Sequence, residues 1–167
     1  MSEGPRGGKD SRLDKDTRAR GRQEAAGQGA AGSGAAPDGS DTYALYQRGL
    51  DLLGRGSAAA AAQLLERAAA AEPESRSVLE ALARAQFGAG RHAASAGSFR
   101  QIVEASPSDD YAQFGLGLAL ARAGDPRAAA EHLALAAAMQ PDLRHYTEAL
   151  RDVRATLRFQ SRDEGRA

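Results

Sequence analysis

The sequence contains no cysteine, which excludes disulfides, thiolate metal sites and cysteine nucleophiles. It has no apolar run approaching the roughly 18 residues of a membrane-spanning helix, because each Ala-rich block is broken by Arg, Glu or Gln. No membrane partner is therefore expected. It has no excess of charge either: Lys+Arg and Asp+Glu stand at 22 each, which removes the usual whole-chain argument for a nucleic acid or an anionic surface. Lysine is scarce, at 2 residues against 20 Arg, and with the abundant Ala and Gly this bias points to a GC-rich bacterial genome. The N-terminus lacks the apolar core of a signal peptide, and Asp10, Asp14 and Asp16 argue against a transit peptide, so the expected location is cytoplasmic.

Large apolar side chains are also nearly missing from residues 1–41, where Leu13 is the main exception. Such a segment cannot bury enough surface to offset an ordering entropy of about 1 to 2 kcal/mol per residue, and it is expected to be a disordered tail. Arg18, Arg20 and Arg22 could form a basic motif for phosphates. The seven basic residues of the segment are balanced by seven acidic ones, however, and a solvated spacer is the preferred reading.

From Thr42 onward the chain is rich in Ala and Leu and repeats itself every 34 residues. Pro73, Pro107 and Pro141 fall on one another under that shift, as do Gly56, Gly90 and Gly124, and Leu65, Phe99 and Leu133. Each copy is two short helical patterns around a glycine turn, so three helical hairpins are expected, at 42–75, 76–109 and 110–143. The third has the most complete turn chemistry: Gly124 as a left-handed C-cap, Asp125 as an N-cap and Pro126 at the first helical position. In the second, Arg91 is a poor cap, and Gly97 sits mid-helix at a cost of about 1 kcal/mol relative to Ala. Small residues (Gly49, Ala83, Gly117; Ala61, Ser95, Ala129) recur where helices approach closely, and large ones (Leu65, Phe99, Leu133) where space must be filled. A last helix, 144–160, carries Tyr146, Ala149, Leu150, Val153 and Leu157 on one stripe and is expected to cap the stack, with 161–167 fraying.

These positions resemble the tetratricopeptide repeat pattern W-x2-L-G-x2-Y, A-x3-F, P. The third copy supplies Leu116-Gly117-x2-Leu120, Ala129-x3-Leu133 and Pro141. The first supplies Gly49-x2-Leu52, Ala61-x3-Leu65 and Pro73, and the second Leu82-Ala83, Ser95-x3-Phe99 and Pro107. Gln113 stands where Trp is usual, Arg48 where Leu is usual, and Gln86 in place of a large residue. The resemblance implies an all-α solenoid of three hairpins and a capping helix, over residues 42–160. It also implies a concave groove, lined by the first helix of each pair, that takes a peptide or an amphipathic helix of another protein. By resemblance and helical phase the groove residues are Tyr46, Leu50 and Leu53, then Glu80, Arg84 and Phe87, then Tyr111, Phe114, Leu118 and Arg122. Some family members clamp a terminal carboxylate with Lys, Asn and Arg. Here Tyr46, Leu50 and Ala81 occupy the relevant places, and such a clamp is not expected.

No chemistry competes with that reading. His92, His132 and His145 lie on different helical patterns without metal-ligand spacing. Residues 88–95, GAGRHAAS, lack the lysine and the preceding strand of a phosphate loop. The serines have neither an elbow nor a base partner. A non-enzymatic adaptor is expected, with no cofactor, metal or small-molecule substrate. Self-association is the alternative, end to end through the Arg48 face or by docking the Leu150/Val153/Leu157 helix. Arg144, Arg151, Arg154 and Arg158 form a basic stripe, but Glu148 and Asp152 interrupt it, and nucleic acid is not the expected partner.

Overall fold

A computed structural model describes residues 37–166, and all of the regular structure among them is helical. Seven helices follow in order: α1 (Pro37–Gly54), α2 (Ala58–Ala71), α3 (Arg76–Gly88), α4 (His92–Ala105), α5 (Asp110–Ala123), α6 (Pro126–Met139) and α7 (Arg144–Glu164). Each helix packs on the next, and α1 also touches α3 as α5 touches α7. The result is a two-layer α-solenoid: the first helices α1, α3, α5 and α7 form one layer, and α2, α4 and α6 the other.

The turns form as their residues require. Gly56, Gly90 and Gly124 all take positive φ, at 80°, 76° and 95°, a conformation glycine adopts without a Cβ penalty. Asp125 accepts a hydrogen bond from the Ala128 amide at 3.0 Å, with Pro126 at the start of α6. Asp109 does the same for α5 through the Ala112 amide, also at 3.0 Å. Ser57 and Ser75 stand at N-cap positions, but their hydroxyls make no capping hydrogen bond. Two helix ends differ from expectation. Helix α1 begins at Pro37 rather than near Thr42, in keeping with the fixed φ that suits proline to a first helical position. Helix α7 continues to Glu164, beyond the expected end at 160. The rest of the expected tail, residues 1–36, lies outside the described residues.

Close approach organises the interior. A Cβ on Gly49 would stand 2.6 Å from Leu65 Cγ, and one on Gly117 the same distance from Leu133 Cγ. A Cβ on Gly115 would enter the Phe99 ring, which is fully buried between α4 and α5. Tyr146, Ala149, Leu150 and Val153 of α7 are buried, and Leu157 is half-buried, so this helix covers the third hairpin.

Gly115→Ala is expected to lower unfolding free energy by about 1 to 3 kcal/mol, because the added methyl overpacks the Phe99 site. Gly97→Ala, where nothing lies within 4 Å of the new methyl, is expected to raise it by about 0.4 to 1 kcal/mol. Urea denaturation of the two variants beside the wild type measures both.

Candidate functional site: the face of the first helices

The three hairpins place equivalent residues of α1, α3 and α5 on one face, but neighbours one repeat on decide how open each position is. Tyr46, Leu50 and Leu53 are half-buried, and they pack against a cluster that includes Ala61, Ala62, Leu65, Leu82 and Ala85. Leu118 is half-buried and Arg122 exposed. Glu80 has a side chain only 12% exposed and is held by Arg76 at 2.9 Å. Arg76 also donates from Nε to Asp109 at 2.7 Å, tying the start of α3 to the cap of α5.

Three expected groove residues are not available on this face. Phe87 is buried, its ring edge-on to His92 at 5.0 Å. Tyr111 is buried with its ring edge-on to Phe99 at 6.2 Å. Phe114 has no exposed surface: Tyr146 stacks on it at 4.3 Å and His145 meets it edge-on at 5.3 Å. Tyr46 and Phe114 are equivalent in sequence, yet only Tyr46 keeps solvent access. The residues one repeat on differ: the positions of His145 and Tyr146, which cover Phe114, correspond by register to Ser77 and Val78 in the helix after Tyr46. The aromatic pair expected to project together is thus one half-open residue and one core residue.

Sequence reasoning also missed several polar contacts. Gln113, at the usual Trp position, is buried; it donates to the Pro107 carbonyl at 2.9 Å and accepts from His132 Nδ1 at 2.7 Å. Desolvation by burial holds the His132 pKa below its ordinary value near 6.5, with Arg100 acting in the same direction and Glu131 opposing. The Tyr146 hydroxyl donates to the buried Asp110 carboxylate at 2.9 Å. A buried polar residue on a helix facing a known neighbour is the signal that could have found them. Arg84 stands out in the middle of the face: it is half-buried, and its Nε is shielded from solvent without a hydrogen-bond partner.

Among the described residues no group of three His, Cys, Asp or Glu could hold a metal, and no helix is long and apolar enough to cross a membrane. A cleft of about 540 Å³ opens elsewhere, between Pro73–Leu79 and Gln101–Ser106, but the cation in its wall is Arg76, already paired with Glu80 and Asp109.

The 34-residue repeat, the capped hairpins and the two-layer stack identify the chain as a member of the tetratricopeptide repeat family, whose model matches residues 46–110 and 81–144. Comparison with curated protein sequences gives no match. Among solved structures, the first tetratricopeptide repeat domain of Spaghetti (RPAP3), bound to the HSP90 peptide SRMEEVD, aligns with a TM-score of 0.65 and 18% identity, over 71% of this chain and 94% of that one. The type III secretion chaperone SycD of Yersinia enterocolitica, in complex with a peptide of the translocator YopD, aligns at 0.60 and 13% identity, over 68% and 92%. MamA of Desulfovibrio magneticus RS-1 aligns at 0.66 and 20% identity, over 70% and 66%. At these identities the likeness is one of fold.

Two measurements follow from the buried polar contacts. The native state favours neutral His132, whereas the unfolded chain takes up a proton as pH falls through about 6.5. The stability from this group is therefore present above pH 6.5 and lost as pH falls below it toward the lowered native value. Urea midpoints at about pH 7.5 and 5.5 should show a smaller acid loss for His132→Gln than for the wild type. Tyr146→Phe removes a donor from the buried Asp110 carboxylate and is expected to cost about 1 to 3 kcal/mol in the same assay.

Proposed function

We propose that the protein is a non-enzymatic adaptor that holds a peptide or helical segment of another protein against the face of its first helices. One observation carries this reading: Tyr46, Leu50, Leu53 and Leu118 keep partial solvent access on one face, where the alternating core register would otherwise bury apolar residues. Apolar side chains left open together on a repeat stack are what an interaction site consists of. Glu80, Arg84 and Arg122 supply the polar part of that surface. Phe87, Tyr111 and Phe114 act from beneath it, holding α3, α5 and α7 in position rather than touching the ligand. The peptides bound by the Spaghetti domain and by SycD are in keeping with this role. The cytoplasm is the proposed location, and neither a small-molecule substrate, a membrane nor a nucleic acid enters the scheme.

Self-association is the second reading. It rests on Leu135 and Met139 of α6 and Phe159 of α7, which are exposed at 47%, 37% and 73%. Site-specific photocrosslinking separates the two. A benzoylphenylalanine placed at Leu118 is expected to capture a foreign polypeptide from host extract, while one at Glu131, exposed on α6, captures none. Adducts of twice the chain mass, or foreign adducts formed only from position 131, would refute the groove reading.

A further inference from the structure

Helix α7 stands in the layer of the first helices. By the 34-residue register its Arg151 corresponds to Gly49, Ala83 and Gly117, and its Arg154 to Leu52, Gln86 and Leu120. In the first and third hairpins that side of the first helix meets the second helix, with Leu65 seated over Gly49 and Leu133 over Gly117. Helix α7 packs on α6 and α5, and its corresponding side is exposed at Arg151 and Arg154. That side carries charge of one sign. Arg144, Arg151, Arg158 and Arg162 fall on one stripe at the helical period, with Arg154 at its border, and all five are exposed. The stripe is about 27 Å long at a rise of about 1.5 Å per residue. Glu148 and Asp152 fall to one side of it and already have interaction partners. None of the five guanidiniums is in an ion pair among the described residues.

Two arguments separate this stripe from an ordinary solvated surface. Arg154 and Arg158 are four residues apart, as are Arg158 and Arg162, and like charges at that spacing destabilise a helix. No ion pair within the described stack offsets the repulsion, and an incoming anion relieves it. Arg151 also stands where the other hairpins have glycine or alanine, so a helix meeting this side is held off at the length of the arginine side chains and is read through their charge. We infer that the outer side of α7 docks an acidic helix of a partner protein, whose Glu or Asp side chains pair with Arg144, Arg151 and Arg158. The surface lies apart from the groove and does not rest on the groove reading. The register makes this a helix-facing side, and the seven-residue interval of these arginines is the one at which two helices keep a common seam. The arginine stems supply apolar contact beneath the charges, and Phe159, 73% exposed beside Arg158, adds an anchor. Glu148, Asp152 and Asp163 border the stripe and repel a broad polyanion such as a bilayer or a nucleic-acid duplex, while leaving a lane for one acidic element.

The test is fluorescence polarisation with the whole chain and an alanine-based helical peptide about as long as α7, carrying Glu on one face at seven-residue spacing. Its controls are the Gln counterpart and an isomer with the same Glu residues spread around the helix. The one-face peptide is expected to bind about 10-fold tighter than either control, and more weakly as salt is raised. Arg151→Gln, Arg154→Gln and Arg158→Gln together should weaken that binding about 10-fold. The same change at Arg48, Arg100 and Arg127, which are also exposed, should alter it less than about twofold. Charge reversal keeps the test independent of lost folding: with Glu at 151, 154 and 158, the chain should instead bind the peptide remade with Lys in place of Glu. No binding of the one-face peptide, equal binding of its isomer, equal loss in the two Gln variants, or no Lys-peptide binding after reversal would overturn the inference. So would tighter binding of a single-stranded oligonucleotide or of phosphatidylserine vesicles that is lost in the α7 variant, since this would assign the stripe to phosphates.

Discussion

The stack depends on a repeated close approach, in which a bulky side chain on a second helix seats where a first helix has no side chain. Leu65 lies over Gly49, Leu133 over Gly117, and Phe99 against Gly115. Helices can approach closely only where one partner is small, and interiors are packed densely enough that a single added methyl is felt. The first two of these seats lie within a hairpin. The third joins α4 to α5, so it locks one hairpin to the next and carries the packing across the repeat boundary. An isolated hairpin could not form the seat between α4 and α5, and repeat units of this kind draw part of their stability from the interface with a neighbour.

Polar residues complete the interior where the repeat pattern departs from large apolar side chains. Gln86 accepts from the Ser98 hydroxyl at 2.8 Å, and the Ser95 hydroxyl donates to the Ala83 carbonyl at 2.8 Å, so the second hairpin is joined by hydrogen bonds between α3 and α4. In the third, Gln113 and His132 join α5 to α6 in the same way. A buried polar group without a partner would cost about 1 to 3 kcal/mol. These groups have partners, so the substitutions change the kind of contact without opening the core. Arg76, Glu80 and Asp109 form a further tie at the ends of α3 and α5, where Asp109 both caps a helix and accepts an ion pair.

The aromatic position of the first helices is half-open in the first repeat, at Tyr46, and closed in the third, at Phe114. Helix α7 supplies the closure, with Tyr146 and His145 on Phe114 and the Tyr146 hydroxyl on Asp110. The accessible apolar surface therefore centres on α1, with Leu118 beyond it and Arg84 between. In the groove reading proposed above, a surface of this kind takes a ligand with apolar anchors and few charges.

Much of this was legible in the chain. Proline and glycine at a fixed interval specify where helices stop and turn, because proline lacks an amide donor and glycine alone takes positive φ without strain. The apolar period specifies which face of each helix turns inward. On this basis the three hairpins, the buried stripe of α7 and the turn at Gly124-Asp125-Pro126 follow from residue order alone. The accessibility of Phe87, Tyr111 and Phe114 did not. Register assigns a residue to a face, but whether that face meets solvent depends on the side chain that the next helix lays over it, and equivalent positions carry Ser77 in one repeat and His145 in another. The pairing of Gln113 with His132, the tie from Arg76 to Asp109 and the unpartnered Nε of Arg84 belong to the same class. Local sequence determines helices and turns because their causes act within a few residues; the contacts across repeats were decided only when distant side chains came within hydrogen-bonding or van der Waals distance.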